Sequence, residues 1–209
     1  AKELLFKSHD EVNLNSYIWE CDSPKAIVHI IHGMSEHAMR YDHFANWLNT
    51  KNIFVISSDL RGHGKTAGDI NNIGFFSYQN GWNIVTKDIE HLTKFYKEKH
   101  PNLPIIILGH SMGSFLARTI AIENPTIASG FIFSATAGHP GLLGIVGEKI
   151  ARINAKIFGK KNKSKLLDFL AFGDFNKKIK NKKTKKDWLT RDHQIVNKYI
   201  NDPLCMQLF

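Results

Sequence analysis

A serine flanked by two glycines is the strongest chemical signal in this sequence. Ser111 lies in a Gly-x-Ser-x-Gly motif, directly after the apolar run at 105–108 and directly before a helical pattern. This order is typical of a nucleophile elbow, a sharp strand-to-helix turn that exposes a serine hydroxyl above a parallel sheet. We expect side chains at Gly109 or Gly113 to collide with the neighbouring strand and helix. The chemistry indicated is acyl transfer through a covalent intermediate on Ser111.

A second motif could supply the hydrogen-bond donors that acyl transfer needs. The sequence HGMSEH (residues 32–37) follows a buried strand, and Gly33 allows a tight turn there. The negative charge that develops on a carbonyl oxygen needs N–H groups already aimed at it. We therefore assign the oxyanion hole to the backbone N–H groups of Met34 and Met112, since Met112 follows the candidate nucleophile.

A third motif, DLRGHG (residues 59–64), follows the next buried strand. Its two glycines permit unusual backbone angles, and Asp59 or Arg61 can tie the loop by hydrogen bonds. We interpret it as a structural turn and disfavour a catalytic role for His63. In the HGMSEH motif the last three residues either brace the loop or line the pocket mouth, and we favour bracing for Ser35, Glu36 and His37.

The elements that must position these motifs alternate between strand and helix patterns up to about residue 138. Strands are predicted over 13–19, 26–31, 53–56 and 129–134, and helices over 41–48, 82–96 and 115–122. This alternation predicts a mostly parallel sheet with helices on both faces. Beyond residue 138 only helical patterns follow, over 142–158, 166–172 and 188–200. We predict an α/β core over 1–137 and a helical, lysine-rich lid over 138–209.

The positive charge of the chain is concentrated in the predicted lid. Between Lys160 and Lys186 there are eleven lysines and only two acidic residues, an excess of nine that equals the net charge of the whole chain, +9. No arginine and little aromatic interleaving accompany these lysines, so we exclude nucleic acid as a partner. The segment is either a solvated face or a peripheral contact with an anionic membrane.

Composition and length narrow the class of protein further. The 209 residues suit one domain, and no apolar run approaches the roughly 18 residues of a membrane span. The N-terminus is too mixed for a secretory signal and lacks a starting Met, which suggests trimming. Cys21 and Cys205 make no CxxC motif and are expected to be reduced thiols in a cytoplasmic protein. Neither a metal-ligand spacing nor a phosphate-binding loop is present, so we predict no metal and no cofactor.

Three motifs together, HGMSEH, DLRGHGKT and GHSMGS, resemble the α/β-hydrolase superfamily in order and spacing. They look most like its monoacylglycerol lipase and lysophospholipase branch, also described as serine aminopeptidase-like, and residues 187–192 and 201–205 are similar to the lid of bacterial members. The resemblance implies an α/β-hydrolase fold and hydrolysis of carboxylic esters of lipids with a single acyl chain. It also implies an apolar acyl channel in the lid. Four lid residues either line that channel or form contacts between lid and sheet: Leu142, Leu143, Ile145 and Val146.

The sequence departs from the superfamily in its acid and base. The superfamily order is Ser, then Asp or Glu, then His on later strands. Only His139 and His193 follow Ser111; His139 is expected at the surface or a pocket wall. His193 and Asp192 are adjacent on a helix and point in different directions, so they do not form a relay. His110 is expected to pack under the elbow.

We therefore expect the triad Asp and His, and the last strands and helices of the fold, to lie outside these residues. The full-length protein would be a serine esterase, and this 209-residue chain would be inactive on its own. Two alternatives stay open: a small-ester or peptide hydrolase on the same scaffold, and a non-catalytic fragment or binding protein.

Overall fold

The computed structural model describes residues 1–139 and 141–205, apart from the side chain of Leu143. Six strands are formed: β1 (Lys2–Lys7), β2 (Asn13–Trp19), β3 (Ala26–Ile31), β4 (Ile53–Ser58), β5 (Ile105–His110) and β6 (Gly130–Ser134). They make one sheet in the order β1-β2-β4-β3-β5-β6. Strand β3 pairs in parallel with both β4 and β5, and β5 pairs in parallel with β6. At one edge of the sheet β1 pairs antiparallel with β2, and β2 pairs antiparallel with β4.

Three helices connect the parallel strands: α1 (Asp42–Asn49), α2 (Gly81–Lys99) and α3 (Met112–Glu123). Parallel neighbours need such crossovers, because a tight hairpin cannot join them. Helix α1 contributes Ala45 and Leu48 to the core on one face of the sheet, while α2 and α3 pack on the other face. Along β3, Ile27 faces α2 and α3 and Val28 faces α1, so both faces of this central strand are buried. The predicted fold class is confirmed.

Three further helices follow β6: α4 (Gly141–Phe158), α5 (Lys165–Phe172) and α6 (His193–Asn201). Helix α6 begins five residues later than the pattern predicted, because the Asp192 carboxylate accepts hydrogen bonds from the Gln194 and Ile195 N–H groups (2.8 and 3.4 Å) and caps the helix there. Among the described residues no helix is both long enough and apolar enough to cross a bilayer. The division into a core and a lid at residue 138 stays a prediction.

Three lysines of the basic segment anchor the joint between α4 and α5 to the loop between β4 and α2. Lys160 donates to the Tyr78 carbonyl, and Lys161 donates to Asn72 Oδ1 at 2.9 Å. Lys161 also lies over the Phe75 ring, 4.9 Å from its centroid, and Lys163 donates to the backbone of the same loop. This part of the basic segment therefore binds the protein itself, which charge counting did not predict.

Candidate active site

The turn between β5 and α3 holds Ser111 in a backbone conformation that residues with side chains rarely adopt. Its φ of 51° and ψ of −119° lie outside the common regions. A Cβ on Gly109 would lie 2.3 Å from the Gly113 carbonyl oxygen, and one on Gly113 would lie 2.2 Å from the Ile31 carbonyl oxygen. The collisions expected at both glycines are confirmed, and the turn places Ser111 at the carboxyl edge of the sheet.

The HGMSEH loop lies directly against this turn. A Cβ on Gly33 would be 3.2 Å from the Ser111 Cβ. The Gly33 N–H donates to Glu36 Oε1 at 2.6 Å, and the same oxygen accepts from the Tyr41 hydroxyl at 2.9 Å. Because the Gly33 N–H is occupied, it is not available to a ligand.

The two residues assigned to the oxyanion hole each follow a residue of the site: Met34 follows Gly33, and Met112 follows Ser111. Met34 lines the same cavity as Ser111. Met112 begins α3, where the first N–H groups of a helix have no intrahelical acceptor. Among the backbone hydrogen bonds that the described residues form in turns, loops and helix caps, none has the Met34 or the Met112 N–H as its donor. The assignment of the oxyanion hole to these two N–H groups stays a prediction.

Buried polar side chains fix the loops around the turn. His32 Nδ1 donates to the Gly33 carbonyl (2.7 Å), and its Nε2 accepts from the Leu60 N–H (3.0 Å), which links the two loops. Complete burial lowers the pKa of His32 well below its usual value, so the ring is neutral. His37 Nε2 lies 2.8 Å from Asp202 Oδ2, beyond the end of α6. Glu36 and His37 therefore brace these loops, while Ser35 and Glu36 also line the Ser111 cavity.

The DLRGHG loop is structural, as predicted. Asp59 is fully buried and accepts hydrogen bonds from the Ala38 and Lys65 N–H groups at 2.9 and 2.8 Å. Burial raises the pKa of this carboxyl, and the two N–H donors counteract part of the rise. Arg61 pairs with Asp88 at 2.6 Å. A Cβ on Gly64 would lie 2.3 Å from the Asp59 carboxylate, which explains the glycine.

None of the candidate histidines forms a catalytic pair with Ser111 among the described residues. His63 is buried, its pKa is lowered to about 4 by that burial, and it does not line the Ser111 cavity. His139 and His193 are exposed and lie outside this cavity. His110 does line it, with Nδ1 3.1 Å from the Ser134 hydroxyl, so it lies at the wall of the cavity rather than under the elbow.

Two adjoining cavities meet at Met34. The first, of about 140 Å³, is bounded by Ser111 and the HGMSEH loop and by residues that follow β6 in the chain, including Phe172, Lys186 and Trp188. The second, of about 580 Å³, runs between α4 and α5. Apart from Asp174 its walls are apolar side chains or glycine: Met34, Val146, Gly147, Ile150, Ala151, Leu167, Phe169, Leu170 and Ala171.

Of the four residues expected to line an acyl channel, only some can be compared with the larger cavity, and one of them lines it. Val146 lines the larger cavity. Leu142 and Ile145 are 81% and 48% exposed and belong neither to the cavity walls nor to the core. The Leu143 side chain lies outside the described residues. Helix α5, which sequence analysis did not associate with a channel, supplies most of the opposite wall, because its apolar face turns towards α4.

Two clusters of potential metal ligands were missed by the sequence analysis, because their members are far apart in the chain. They are His37 with Asp202 and Cys205, and His9 with Asp10 and Asp88. In each cluster the carboxylates already have partners. Asp202 pairs with His37 at 2.8 Å, and Asp88 pairs with Arg61 at 2.6 Å. Hydrogen bonding and ion pairing account for both arrangements.

The sequence and the structure of this chain are similar to those of known hydrolases. Residues 22–208 match the protein family described as serine aminopeptidase, S33. The mouse (Mus musculus) monoglyceride lipase is 33% identical over 53% of this chain and 34% of its own length. The monoacylglycerol lipase of Mycolicibacterium smegmatis is 29% identical over 90% of this chain and 59% of its own length. The crystal structure of a thermostable carboxyl esterase from Bacillus coagulans superposes with a TM-score of 0.86 at 29% identity, covering 98% of this chain and 66% of that one. The chain thus spans a third to three fifths of these two lipases.

Proposed function

Because the chain belongs to the serine aminopeptidase S33 family and has the α/β-hydrolase fold, we propose that it is the nucleophile-bearing part of a serine esterase. The proposed substrates are carboxylic esters of lipids with a single acyl chain, namely monoacylglycerols or lysophospholipids. The observation that carries this proposal is the strained turn at Ser111, which opens into a small cavity lined by both polar and apolar side chains, beside a larger and mostly apolar one.

In the proposed reaction Ser111 Oγ attacks the ester carbonyl and transfers its proton to a histidine base. The carbonyl oxygen becomes negative and accepts hydrogen bonds from the Met34 and Met112 N–H groups; such a donor contributes about 10²–10³ in kcat. The alcohol leaves with the proton from the base, and the acyl group stays on Ser111. Water, deprotonated by the same base, then releases the fatty acid.

The base and its carboxylate are proposed to lie outside the described residues. His110 is the one histidine that lines the Ser111 cavity in the described part of the chain, and its Nδ1 faces Ser134. The two histidines that follow Ser111, His139 and His193, are exposed and outside that cavity. We therefore propose that this 209-residue chain has little activity alone, and that it turns over esters only with the rest of the protein.

The larger cavity is proposed to hold the acyl chain. It shares Met34 with the Ser111 cavity, so an acyl chain whose carbonyl is at Ser111 can continue between α4 and α5. Its volume of about 580 Å³ lies within the range of small-molecule sites, roughly 300–1,000 Å³. A mostly apolar wall favours a hydrocarbon chain over a peptide or a short polar ester.

A panel of esters tests the proposed substrate class in the full-length protein. We expect kcat/KM to increase with acyl length from acetyl esters to long-chain monoacylglycerols and lysophospholipids. Ala151→Phe, which fills the larger cavity, should lower kcat/KM for long chains while leaving acetyl esters unaffected. Ile153→Phe is the matched control, because Ile153 is 58% exposed on the same helix. Failure on every long-chain ester, with turnover of aminoacyl substrates, would favour a peptide hydrolase instead.

We also propose that the lid contacts anionic membranes from the cytoplasmic side. Six lysines between α5 and α6 are exposed: Lys177, Lys178, Lys180, Lys182, Lys183 and Lys185. Large apolar side chains are exposed on the neighbouring helices, including Phe158 (65%) and Phe169 (62%). Exposed apolar groups flanked by lysines suit a surface of anionic lipid. Cys21 and Cys205 form no disulfide among the described residues, which is consistent with a reducing compartment.

Vesicle binding tests this contact. We expect binding to increase with the fraction of phosphatidylserine and to weaken with salt, since exposed charges are screened. Lys178→Gln with Lys180→Gln should weaken binding by about 1 kcal/mol per lysine. Lys2→Gln with Lys25→Gln removes the same charge from exposed positions of the core and should have little effect. Binding that is indifferent to lipid charge and to salt would rule the contact out.

A further inference from the structure

The cavity that holds Ser111 contains one cation without an acidic partner among the described residues. Three charged side chains line it: Glu36, Arg40 and Lys186. Glu36 Oε2 pairs with the Arg40 guanidinium at 3.4 Å, so these two charges compensate each other. Lys186 lies over the Phe172 ring, 5.5 Å from its centroid, and forms no ion pair in the described part of the chain. The charged groups around the cavity therefore sum to one positive charge.

The local structure holds Lys186 in this position. The next residue, Asp187, is buried, and its carboxylate accepts from the Thr184 hydroxyl and from the Lys183 and Thr184 N–H groups. These hydrogen bonds lower the pKa of the Asp187 carboxyl, which keeps it charged. The Asp187 carboxylate faces this turn and forms no ion pair with Lys186 among the described residues.

A pair of aromatic rings lies next to the Lys186 ammonium. Trp188 stacks on Phe172 with ring centroids 6.0 Å apart and planes 12° from parallel. Lys186 packs over the same Phe172 ring. The Lys186 ammonium therefore lies beside a pair of stacked aromatic rings, and both aromatic residues line the Ser111 cavity.

A basic wall continues outward from Lys186. A third cavity, of about 480 Å³, is lined by Lys182, Lys185 and Lys186. Its one lining acid among the described residues is Asp168. Since Lys186 lines both this cavity and the Ser111 cavity, it stands between a positively charged outer surface and the nucleophile. A cleft lined by one sign of charge concentrates ligands of the opposite sign.

We propose that Lys186 binds the anionic phosphate of a head group, so that the protein prefers acidic lysophospholipids to neutral monoacylglycerols. The inference rests on the function proposed above and narrows its substrate class. The phosphate accepts charge-assisted hydrogen bonds from the ammonium while the ester carbonyl lies at Ser111. A glycerol head has no charge with which to compensate a half-buried lysine. Lys186 positions the substrate and takes no proton.

Binding of non-hydrolysable ether lipids tests the proposal without depending on turnover. The probes are a short-chain 1-O-alkylglycerol, the same lipid with a 3-phosphate, and glycerol 3-phosphate alone, each below its micelle concentration. Calorimetry on the full-length protein gives the affinities, and the change in tryptophan fluorescence, to which Trp188 beside the site contributes, reports occupancy. We expect the phosphate lipid to bind about tenfold or more tightly than the neutral lipid, and glycerol 3-phosphate to bind weakly.

Three variants distinguish phosphate binding by Lys186 from a general effect of the positive charge of this segment. Lys186→Met should bring the two lipids to equal affinity, and Lys186→Arg should keep most of the preference. Lys165→Gln removes an exposed lysine of the same segment that lines none of the three cavities, so its preference should match the unmodified protein. Equal affinities in the unmodified protein, or a preference that survives Lys186→Met, would overturn the inference.

The enzymatic consequence distinguishes this inference from the function on which it rests. In the full-length protein, Lys186→Met should lower the ratio of kcat/KM for a lysophosphatidic acid to kcat/KM for the matching monoacylglycerol. Hydrolysis of both lipids without discrimination would reject the role of Lys186 and keep the esterase. Hydrolysis of neither lipid would reject the esterase, while the ether-lipid affinities would still decide the head-group site.

Discussion

Replacement of Ser111 by alanine in the full-length protein is expected to abolish both hydrolysis of lipid esters and covalent labelling by a fluorophosphonate. The hydroxyl is the only atom lost, and the backbone of the turn is retained. Removal of a nucleophile that works with a base costs about 10⁶ in kcat, because the remaining site contributes only binding and oxyanion stabilisation. Mass spectrometry of the labelled protein should place the adduct on Ser111.

The matched control is Ser114→Ala, three residues further on in α3. Ser114 is buried, and its hydroxyl donates to the Ser111 carbonyl at 2.6 Å. This variant perturbs the same turn without removing the proposed nucleophile, so labelling should persist. Labelling of the Ser111→Ala protein at an unchanged rate, or no labelling of the unmodified full-length protein, would exclude covalent catalysis by Ser111.

The same measurement on the 209-residue chain tests the proposed position of the base. A serine without its base is a weak nucleophile, so we expect labelling at a small fraction of the full-length rate and little ester turnover. Robust turnover that depends on Ser111 would show that these residues suffice. His110 would then be the first candidate for the base, since it lines the same cavity.

The amino-acid sequence was sufficient to predict those parts of the structure that follow from local patterns and local steric limits. The alternation of β-branched runs and helical patterns gave the sheet and its crossovers, and the glycines beside Ser111 indicated the turn. Strand β1 was missed because its pattern is weak: Phe6 is buried, but Leu5 is 66% exposed at the edge of the sheet. An edge strand buries too little apolar surface to give a clear alternation.

Sequence was insufficient where distant segments meet. The lysines between 160 and 186 look alike in the chain, yet the structure divides them into three kinds. Lys160, Lys161 and Lys163 bind the loop before α2. Lys165 and the six between α5 and α6 that include Lys180 are exposed, and Lys186 faces the Ser111 cavity. Periodicity also could not show that α5 faces α4 across the larger cavity. Such side-chain environments depend on tertiary packing, which local patterns do not encode.

Gly113→Ala is expected to be the most destabilising single-methyl change in the core. Gly113 has an ordinary helical conformation, so the backbone itself tolerates alanine. A Cβ there, however, would lie 2.2 Å from the Ile31 carbonyl oxygen and 2.5 Å from that of His32. Both contacts are to backbone at the end of β3, which cannot swing aside as a side chain can. We expect the free energy of unfolding to fall by about 3 kcal/mol, the upper part of the usual range for overpacking.

Gly147→Ala provides a control of opposite sign. Gly147 is also inside a helix, but among the described residues no heavy atom outside its own helical neighbourhood lies within 4 Å of the added Cβ. Alanine there should raise the free energy of unfolding by roughly 0.5–1 kcal/mol, since glycine loses more backbone entropy on helix formation. Urea unfolding followed by circular dichroism measures both changes.

The Gly113→Ala variant also connects stability to the site. Relief of the clash requires α3 to move away from the end of β3, and that end continues into Gly33 and Met34. The distance between the Met34 N–H and Ser111 should therefore change, and fluorophosphonate labelling should slow even in molecules that remain folded. If the Gly113→Ala protein unfolds at the same urea concentration as the unmodified protein, the close packing of the turn against β3 is wrong, and with it the placement of Met34 beside the proposed nucleophile.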